Sequence, residues 1–239
     1  SLVLEGMVTT QAVAGDYVHQ VNTLIGTKGT GLTSGYLYPG ATYPYGMVQF
    51  TPSYFSKRSG FVINQLSGGG CEHMGNFPTF PVKGKLKMSP DNILNYRINV
   101  SEEKGHAGYY EAMVQEDIKA KLTVTERTGM ASYEYPADQQ YGTIIIGGGI
   151  SATPIEQAAI VITAPNKCEG YAEGGNFCGL RTPYKVYFVA EFDTDAFETG
   201  TWKREELMPN TTFAEGEYSG VYFTFDVNKK KNIQYKIGV

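Results

Sequence analysis

The sequence predicts an all-β protein, a large antiparallel β-sandwich. Beyond Pro81, short apolar stretches recur and turn residues interrupt them at intervals of about 8–12 positions, as in sandwiches and barrels. The chain combines 29 glycines with 18 tyrosines and 12 phenylalanines, a composition that suits strands joined by tight turns. No segment keeps a clear helical period over four turns.

Length and charge restrict the class of protein. A chain of 239 residues holds one large all-β domain or two small ones, and its 41% hydrophobic and 18% charged residues are ordinary for a globular protein. The net charge of −4 argues against nucleic acid and anionic membranes as partners. No apolar run approaches the roughly 20 residues that a membrane-spanning helix needs.

The first part of the chain is predicted to be irregular. Residues 1–15 are interpreted as an N-terminal arm and residues 16–239 as the sandwich domain. The start contains Glu5 and lacks a basic segment, so it does not look like a signal peptide and fits a mature or trimmed terminus better. Residues 16–25 predict a short amphipathic helix, with Asp16 as N-cap and Gly26 as stop.

Strands are predicted from alternation and from short apolar runs. Strict alternation over residues 118–125 indicates a half-buried strand, whereas the apolar run 144–146 indicates an inner strand. The remaining predicted strands cover residues 47–51, 61–63, 82–88, 93–100, 184–192, 221–227 and 233–239. Because the last of these stops in mid-pattern, we expect the parent protein to continue.

Three cysteines leave the disulfide pattern open. Their number is odd, so at least one thiol is free if all bonds are internal. Cys168 and Cys178 could pair across a turn predicted at residues 170–176, although sequence alone does not establish that geometry. The close spacing of Cys71 and His73, with no second ligand pair, does not resemble a zinc site.

A glycine-rich stretch is the first candidate site. Three consecutive glycines bury no side chain, but they let backbone N–H groups approach a ligand or another domain closely. Polar residues that could bind or react follow them directly. The stretch is either a solvent-exposed hairpin loop or a binding loop, and it contains Ser67, Gly68, Gly69, Gly70, Cys71, Glu72 and His73.

Candidate carboxylates are numerous but lack a catalytic setting. A sugar hydrolase needs two carboxyl groups held roughly 5–9.5 Å apart. The acidic residues mostly stand in polar turns beside Lys, Ser or Thr, where solvated surface positions are the rule. Glu72 differs by its place in the glycine-rich stretch. No nucleophile elbow supports a Ser–His–Asp mechanism.

Several motifs follow one another in a fixed order along the chain. They are the segments 21–27, 38–49, 66–71, 105–110, 125–129, 177–179 and 236–239. In this order, from about residue 16 to the end of the chain, they resemble the opening of the glycoside hydrolase family 92 α-mannosidases. Agreement of so many motifs in one order is more specific than any single motif.

The resemblance implies an exported enzyme, in the bacterial periplasm or on the cell surface. Members of this family are calcium-dependent, inverting exo-α-mannosidases that degrade glycans. A galactose-mutarotase-like supersandwich precedes an (α/α)6 barrel, which holds the acid, the base and the calcium ligands. This chain would thus be truncated before its catalytic barrel, with no catalytic residue or metal ligand of its own. Its implied partners are mannose-containing glycans and its own C-terminal domain.

The family's loop carries over onto Ser67, Gly68, Gly70 and Cys71, where the resemblance implies contact with the sugar. The neighbours Asn64, Gln65, Gly69, Glu72 and His73 complete the predicted substrate-binding set. The sequence departs from the commoner family pattern at residues 63–65 and 72–76, where the leaving-group sugar would be held.

Two other functions remain open. The chain could be a self-standing carbohydrate-binding sandwich, or a docking domain whose glycine-rich loop contacts a protein. If a barrel does follow, we expect an exposed apolar and aromatic surface around residues 38–45 and 66–78, where the two domains would meet.

Overall fold

The computed structural model describes residues 17–27, 37–53, 60–66, 74–91 and 100–239. Within these residues the chain forms two antiparallel sheets, sheet I and sheet II, which confirms the predicted all-β class. The helical structure in the same residues includes a single turn of 3-10 helix, Tyr17–Gln20.

Sheet I contains most of the strands from the first third of the chain. Its strands follow the spatial order β1 (Ala41–Thr42), β2 (Gln49–Pro52), β3 (Phe61–Val62), β4 (Thr79–Lys83), β9 (Tyr141–Ile146), β16 (Ser219–Asp226), β13 (Glu198–Lys203) and β14 (Glu206–Pro209). The predicted inner strand at residues 144–146 is confirmed, because β9 lies between β4 and β16.

Sheet II is built from long hairpins. Its strands follow the order β15 (Phe213–Glu215), β10 (Ile155–Ala164), β11 (Lys167–Phe177), β12 (Leu180–Phe192), β17 (Asn232–Gly238), β8 (Thr128–Glu134), β7 (Ile118–Val124), β6 (Tyr109–Val114) and β5 (Val100–His106). In β7 the residues Ile118, Ala120 and Leu122 are buried, as the alternation predicts.

The core between the sheets is dominated by aromatic rings. Phe192 of sheet II is 2% exposed. Its ring centroid lies 4.7 Å from that of Phe223 and 5.1 Å from that of Phe225, both in sheet I. Tyr235 of β17 packs 5.2 Å from the same ring. These contacts join the two layers into one sandwich.

Hydroxyl groups inside the core are satisfied by one another. The Thr79 hydroxyl in sheet I lies 2.6 Å from the Tyr235 hydroxyl in sheet II, and it also donates a hydrogen bond to the Phe61 carbonyl. Burial raises the pKa of Tyr133 to about 12 and that of Tyr235 well above its usual value. Both phenols therefore stay neutral and their polar ends are paired, as buried polar groups require.

Two sequence-based expectations are wrong in detail. Instead of an amphipathic helix over residues 16–25, the described residues form the 3-10 turn and then irregular turns, with Val21 and Ile25 exposed. A short helix needs a surface that covers its apolar face, and these two side chains have none. The strand predicted at 82–88 is Thr79–Lys83, because Gly84 turns the chain with φ +76°.

The predicted turn at residues 170–176 is also wrong. This segment is the middle of β11, an 11-residue strand that pairs with β10 and β12. The strand predicted over 93–100 lies largely outside the described residues, which resume with β5.

Candidate functional site

Two of the nine predicted site residues, Asn64 and Gln65, lie in the described part of the chain. Ser67, Gly68, Gly69, Gly70, Cys71, Glu72 and His73 lie outside it. We therefore build the candidate site from the residues on either side of the glycine-rich stretch, 64–66 and 74–76, which we call the loop neck.

Strands β3 and β4 bring the two sides of the neck together. The strands pair through Phe61 and Thr79. Gln65 then forms an isolated antiparallel bridge with Met74, and the Gly75 N–H donates a hydrogen bond of 2.7 Å to the Asn64 carbonyl. Met74 and Gly75 have φ values of 55° and 77°, so the returning chain turns sharply as it re-enters the ladder.

An amide pair fastens the neck. The side-chain amide of Asn64 donates to the Asn76 side-chain oxygen at 3.1 Å, and the Asn76 backbone N–H donates to the Asn64 side-chain oxygen at 2.8 Å. Asn76 is fully buried. Two hydrogen bonds between the same residues, in opposite directions, fix the distance between the ends of the stretch.

Sheet II also contacts the neck. The Tyr184 hydroxyl of β12 donates to the Asn76 side-chain oxygen at 3.1 Å. The connection between β9 and β10 adds a backbone contact, since the Ala152 N–H donates to the Met74 carbonyl at 2.7 Å. Burial raises the pKa of Tyr184, while its hydrogen bond to Asn76 opposes that rise. The neck is thus positioned by both sheets.

Two amide groups in the neck have unused hydrogen-bonding capacity. Gln65 is 3% exposed, yet its side-chain oxygen and nitrogen both lack a hydrogen-bond partner, and so does the side-chain nitrogen of Asn76. Such buried groups are uncommon and cost roughly 1–3 kcal/mol each when left unpaired. Their presence indicates hydrogen bonds that a water molecule or a ligand could complete.

Asn76→Ala is expected to lower the free energy of unfolding by about 1–3 kcal/mol, because it removes the side-chain oxygen that accepts hydrogen bonds from the Tyr184 hydroxyl and the Asn64 amide. Urea unfolding measures the loss, and hydrogen exchange at the Gly75 amide should become faster. Asn228→Ala, at an exposed turn position, is the matched control. Equal stabilities for the two variants would show that the hydrogen bonds between Asn64 and Asn76 do not stabilise the neck.

Cys178 and Cys168 are not paired with each other, contrary to one alternative from the sequence. Cys178 is disulfide-bonded, whereas Cys168 is free and buried, and burial raises the pKa of its thiol. The two cysteines stand at opposite ends of β11, roughly 33 Å apart at about 3.3 Å per residue, far beyond the ~7 Å limit between bridged Cα atoms. Cys71, the third cysteine of the sequence, lies outside the described residues.

The β11–β12 hairpin contains the motif at residues 177–179 and shows why a glycine stands there. Phe177 pairs with Leu180, so Cys178 and Gly179 form a two-residue turn with φ values of 50° and 83°. A turn with positive φ at both positions is the form that matches the twist of antiparallel strands. The glycine supplies this conformation without strain, and the turn presents Cys178 at an exposed hairpin tip.

Exposed apolar side chains lie beside the neck. Tyr43, Tyr45, Met47 and Leu66 are all exposed, and we call them the apolar rim. The Gln49 N–H donates to the Ile63 carbonyl, a register that places Met47 and Leu66 at the same end of the β2–β3 pair. The exposure of Tyr43, Tyr45 and Leu66 agrees with the expected apolar surface, whereas Phe77 and Pro78, which belong to the same predicted surface, are buried.

The described carboxylates show surface chemistry. Glu111 accepts a hydrogen bond from Tyr109, which together with nearby lysines lowers the pKa of its carboxyl group. A lowered pKa suits an ion pair and is unsuited to a general acid at neutral pH. In the part of the chain that the structure describes, no cluster of three or more His, Cys, Asp and Glu side chains could hold a metal ion.

Sequence reasoning named Asn64 and Gln65 beside the glycine-rich stretch, which stays a prediction, and it missed the contacts of Asn76 and Tyr184. Asn76 stands close to the glycines and was visible as a polar residue. Tyr184 gave no signal beyond its place on a strand face, because its contact with Asn76 spans 108 positions.

Within the described residues, no helix has the length and apolar character needed to cross a membrane.

Comparison with known proteins gives a consistent result. Residues 20–239 match the family model of the glycosyl hydrolase family 92 N-terminal domain. The chain is 30% identical over 159 residues to an uncharacterized secreted glycosidase of Arthroderma benhamiae. The match covers 57% of this chain and 20% of that protein.

Solved structures share the fold. The family 92 glycosyl hydrolase ccman5 superposes with a TM-score of 0.77 at 21% identity, covering 93% of this chain and 32% of that one. The α-mannosidase BT3965 from Bacteroides thetaiotaomicron gives 0.76 at 24% identity, covering 92% and 33%. The inverting mannosidase BT2199 from the same species gives 0.76 at 23%, covering 93% and 31%. This chain thus spans about a third of each of these structures.

Proposed function

Since the chain belongs to glycosyl hydrolase family 92, as its N-terminal domain, we propose that it forms one wall of the sugar pocket of an exported exo-α-mannosidase. The loop neck is the observation that carries this proposal. It joins the two described ends of the glycine-rich stretch through hydrogen bonds, and it keeps the Gln65 amide buried with unused hydrogen-bonding capacity. Rigid support of this kind is what a binding loop requires.

The proposed substrate is a mannose-containing glycan that is cleaved with inversion. Support comes from the related structures, which are described as an α-mannosidase and an inverting mannosidase. In this proposal Ser67, Gly68, Gly70 and Cys71 contact the sugar. Asn64, Gln65, Gly69, Glu72 and His73 complete the binding loop.

The acid, the base and the calcium ion of the proposed enzyme are assigned to a C-terminal domain beyond residue 239. The described residues do not fit a calcium site, because they contain no cluster of three or more potential His, Cys, Asp and Glu ligands. Acidic side chains such as Glu198 and Glu173 are engaged in ion pairs with Lys85 and Lys185. We therefore derive no catalytic step from this chain.

The apolar rim is the proposed contact surface for that C-terminal domain. Its four side chains are exposed, and Tyr45 also has a φ of 60°, a left-handed conformation that is costly for an aromatic residue. Strained, exposed aromatic residues favour a binding role over a purely structural one. The rim adjoins the neck, so a domain docked there would complete the pocket.

Export is supported by the chemistry of Cys178. A structural disulfide persists in oxidising compartments and is rare in the cytosol of most organisms. The related glycosidase from Arthroderma benhamiae is described as secreted. The periplasm or the cell surface of a bacterium is the proposed location.

Enzyme assays test this proposal. The 239-residue chain alone should not hydrolyse 4-nitrophenyl α-mannoside, whereas a protein that continues through the C-terminal domain should do so. In that longer protein Gln65→Ala should raise KM by about tenfold, the scale of one lost hydrogen bond to a polar ligand. Asn228→Ala is the control for folding. Turnover by the 239-residue chain alone would contradict the assignment of catalysis to the C-terminal domain. An unchanged KM for Gln65→Ala would show that the neck does not contact the substrate.

A further inference from the structure

The outer face of sheet II carries an open groove that the proposed pocket does not use. It crosses β15, β10, β11 and β12 and has a volume of about 390 Å³, within the range of sites for small ligands. The strand register sets its lining. Tyr171 lies beside Ala159 and Tyr187, and in the next outward row Val161 lies beside Phe213.

Aromatic rings stand at both ends of the groove and small residues form its floor. Tyr187 is 61% exposed and Phe213 is 53% exposed, and both rings line the groove. With neighbouring strands about 4.8 Å apart, the two residues are separated by three strand spacings, roughly 14 Å across the sheet, and they are offset by two residues, about 7 Å, along the strands. Ala159 and Val161 leave the space between them open.

A third ring, that of Tyr171, lies in the groove beside Tyr187 and is held in place by Lys185. The Lys185 ammonium lies 4.1 Å from the centre of the Tyr171 ring and 2.6 Å from a Glu173 carboxylate oxygen. Tyr171 and Tyr187 in turn pack with their centroids 6.0 Å apart. These contacts limit the rotamers of both tyrosines, so little side-chain freedom remains to be lost on binding.

The charges around the groove select the class of ligand. Glu169 lines it, and Glu215 stands in an adjoining outward position. Glu173 is paired with Lys185. Lys167 faces Glu191 at the next outward position, so the face carries four carboxylates and two cations. This excess of carboxylates repels anionic polymers and lipid headgroups. Carboxylates and an ammonium group are good hydrogen-bonding partners for hydroxyl groups. The combination favours a neutral, hydroxyl-rich ligand with apolar faces.

We propose that this groove binds a neutral oligosaccharide, with pyranose rings stacked on Tyr187 and Phe213. An aromatic face is apolar and electron-rich, which suits the C–H face of a sugar ring. The groove would hold a glycan chain through several sugar residues. It does not involve the loop neck, because Tyr184 points inward from β12 to Asn76 whereas Tyr187 points outward.

Affinity electrophoresis of the 239-residue chain in gels containing yeast α-mannan tests the proposal. Mannan should retard the chain, and the double variant Tyr187→Ala/Phe213→Ala should weaken binding at least tenfold. Tyr187→Phe keeps the ring and should retain most of the binding. Phe197→Ala removes an equally exposed ring outside the groove and is the control. Gels with a neutral β-1,4-glucan show whether the groove distinguishes between glycans.

Retardation in either polysaccharide that depends on both rings supports the proposal. No retardation in any gel, or equal retardation of the double variant, overturns it. Size-exclusion chromatography tests the competing explanation, that the groove is an interface between copies of this chain. A self-associated form that the double variant abolishes, without glycan binding, would identify the groove as a protein interface and overturn the proposal. The result is read from the difference that Tyr187 and Phe213 make, and neither residue belongs to the loop neck, so it does not depend on the proposed pocket.

Discussion

Phe192→Ala should lower the free energy of unfolding by about 3–5 kcal/mol, the usual cost of deleting a buried phenylalanine ring. The ring of Phe192 bridges the two sheets, with Phe223 and Phe225 on one side and Tyr235 beside it. Its removal leaves a cavity at the contact that joins the layers. Much of a typical domain's stability, about 5–15 kcal/mol, would be lost.

Urea unfolding at 25 °C measures this effect through the midpoint at an unchanged m-value. Phe213→Ala provides a matched control, since Phe213 is 53% exposed and its loss should change the free energy of unfolding by no more than about 0.5 kcal/mol. If the two variants are equally stable, the sheets are held together by contacts elsewhere, and the assignment of Phe192 to the centre of the core is wrong.

Strands with a simple period were predictable from sequence. Alternation identified β7 and β17, and the triple isoleucine identified β9, because side-chain direction along a strand depends only on the backbone. The family resemblance added the sandwich type and the expectation of a C-terminal catalytic barrel, neither of which follows from periodicity.

Glycines inside strands caused the main error of the sequence analysis. Gly174 and Gly175 suggested a turn, but both belong to β11. A Cβ on Gly175 would lie 2.6 Å from the Cα of Pro183, and one on Gly174 would lie 2.9 Å from the Tyr184 hydroxyl. These glycines permit close packing within a strand. That requirement comes from partners on the neighbouring strand and leaves no local signal.

Only the parts of the candidate site that are neighbours in sequence were predictable. Asn64 and Gln65 were identified because they adjoin the glycines, and Asn76 lies among residues 72–76, where the sequence departs from the family pattern. The part that Tyr184 plays depends on sheet II closing over sheet I, a tertiary relationship. The unpartnered amide of Gln65 likewise appears only when its surroundings are known.

Loss of the Cys178 disulfide should lower the free energy of unfolding by about 2–4 kcal/mol. Cys168 is buried and free, so Cys71 is the remaining cysteine of the three in the sequence. A bond between positions 71 and 178 closes a loop of roughly 100 residues, for which the chain-entropy treatment gives up to about 4.7 kcal/mol. Cys178→Ser, or dithiothreitol added to the native chain, should produce this loss in urea unfolding.

Sensitivity to the reductant separates the disulfide from other effects of the substitution. Dithiothreitol should destabilise the native chain and Cys168→Ala alike, and it should have no further effect on Cys178→Ser. Non-reducing peptide mapping should find the peptide of Cys178 linked to that of Cys71, with the Cys168 peptide alone. If Cys168→Ala abolishes the response to dithiothreitol, the pairing is wrong. If the link to Cys71 is present, residues 71 and 178 are held together, and the glycine-rich loop is fastened to the β11–β12 hairpin of sheet II as well as by Asn64 and Asn76 at its neck.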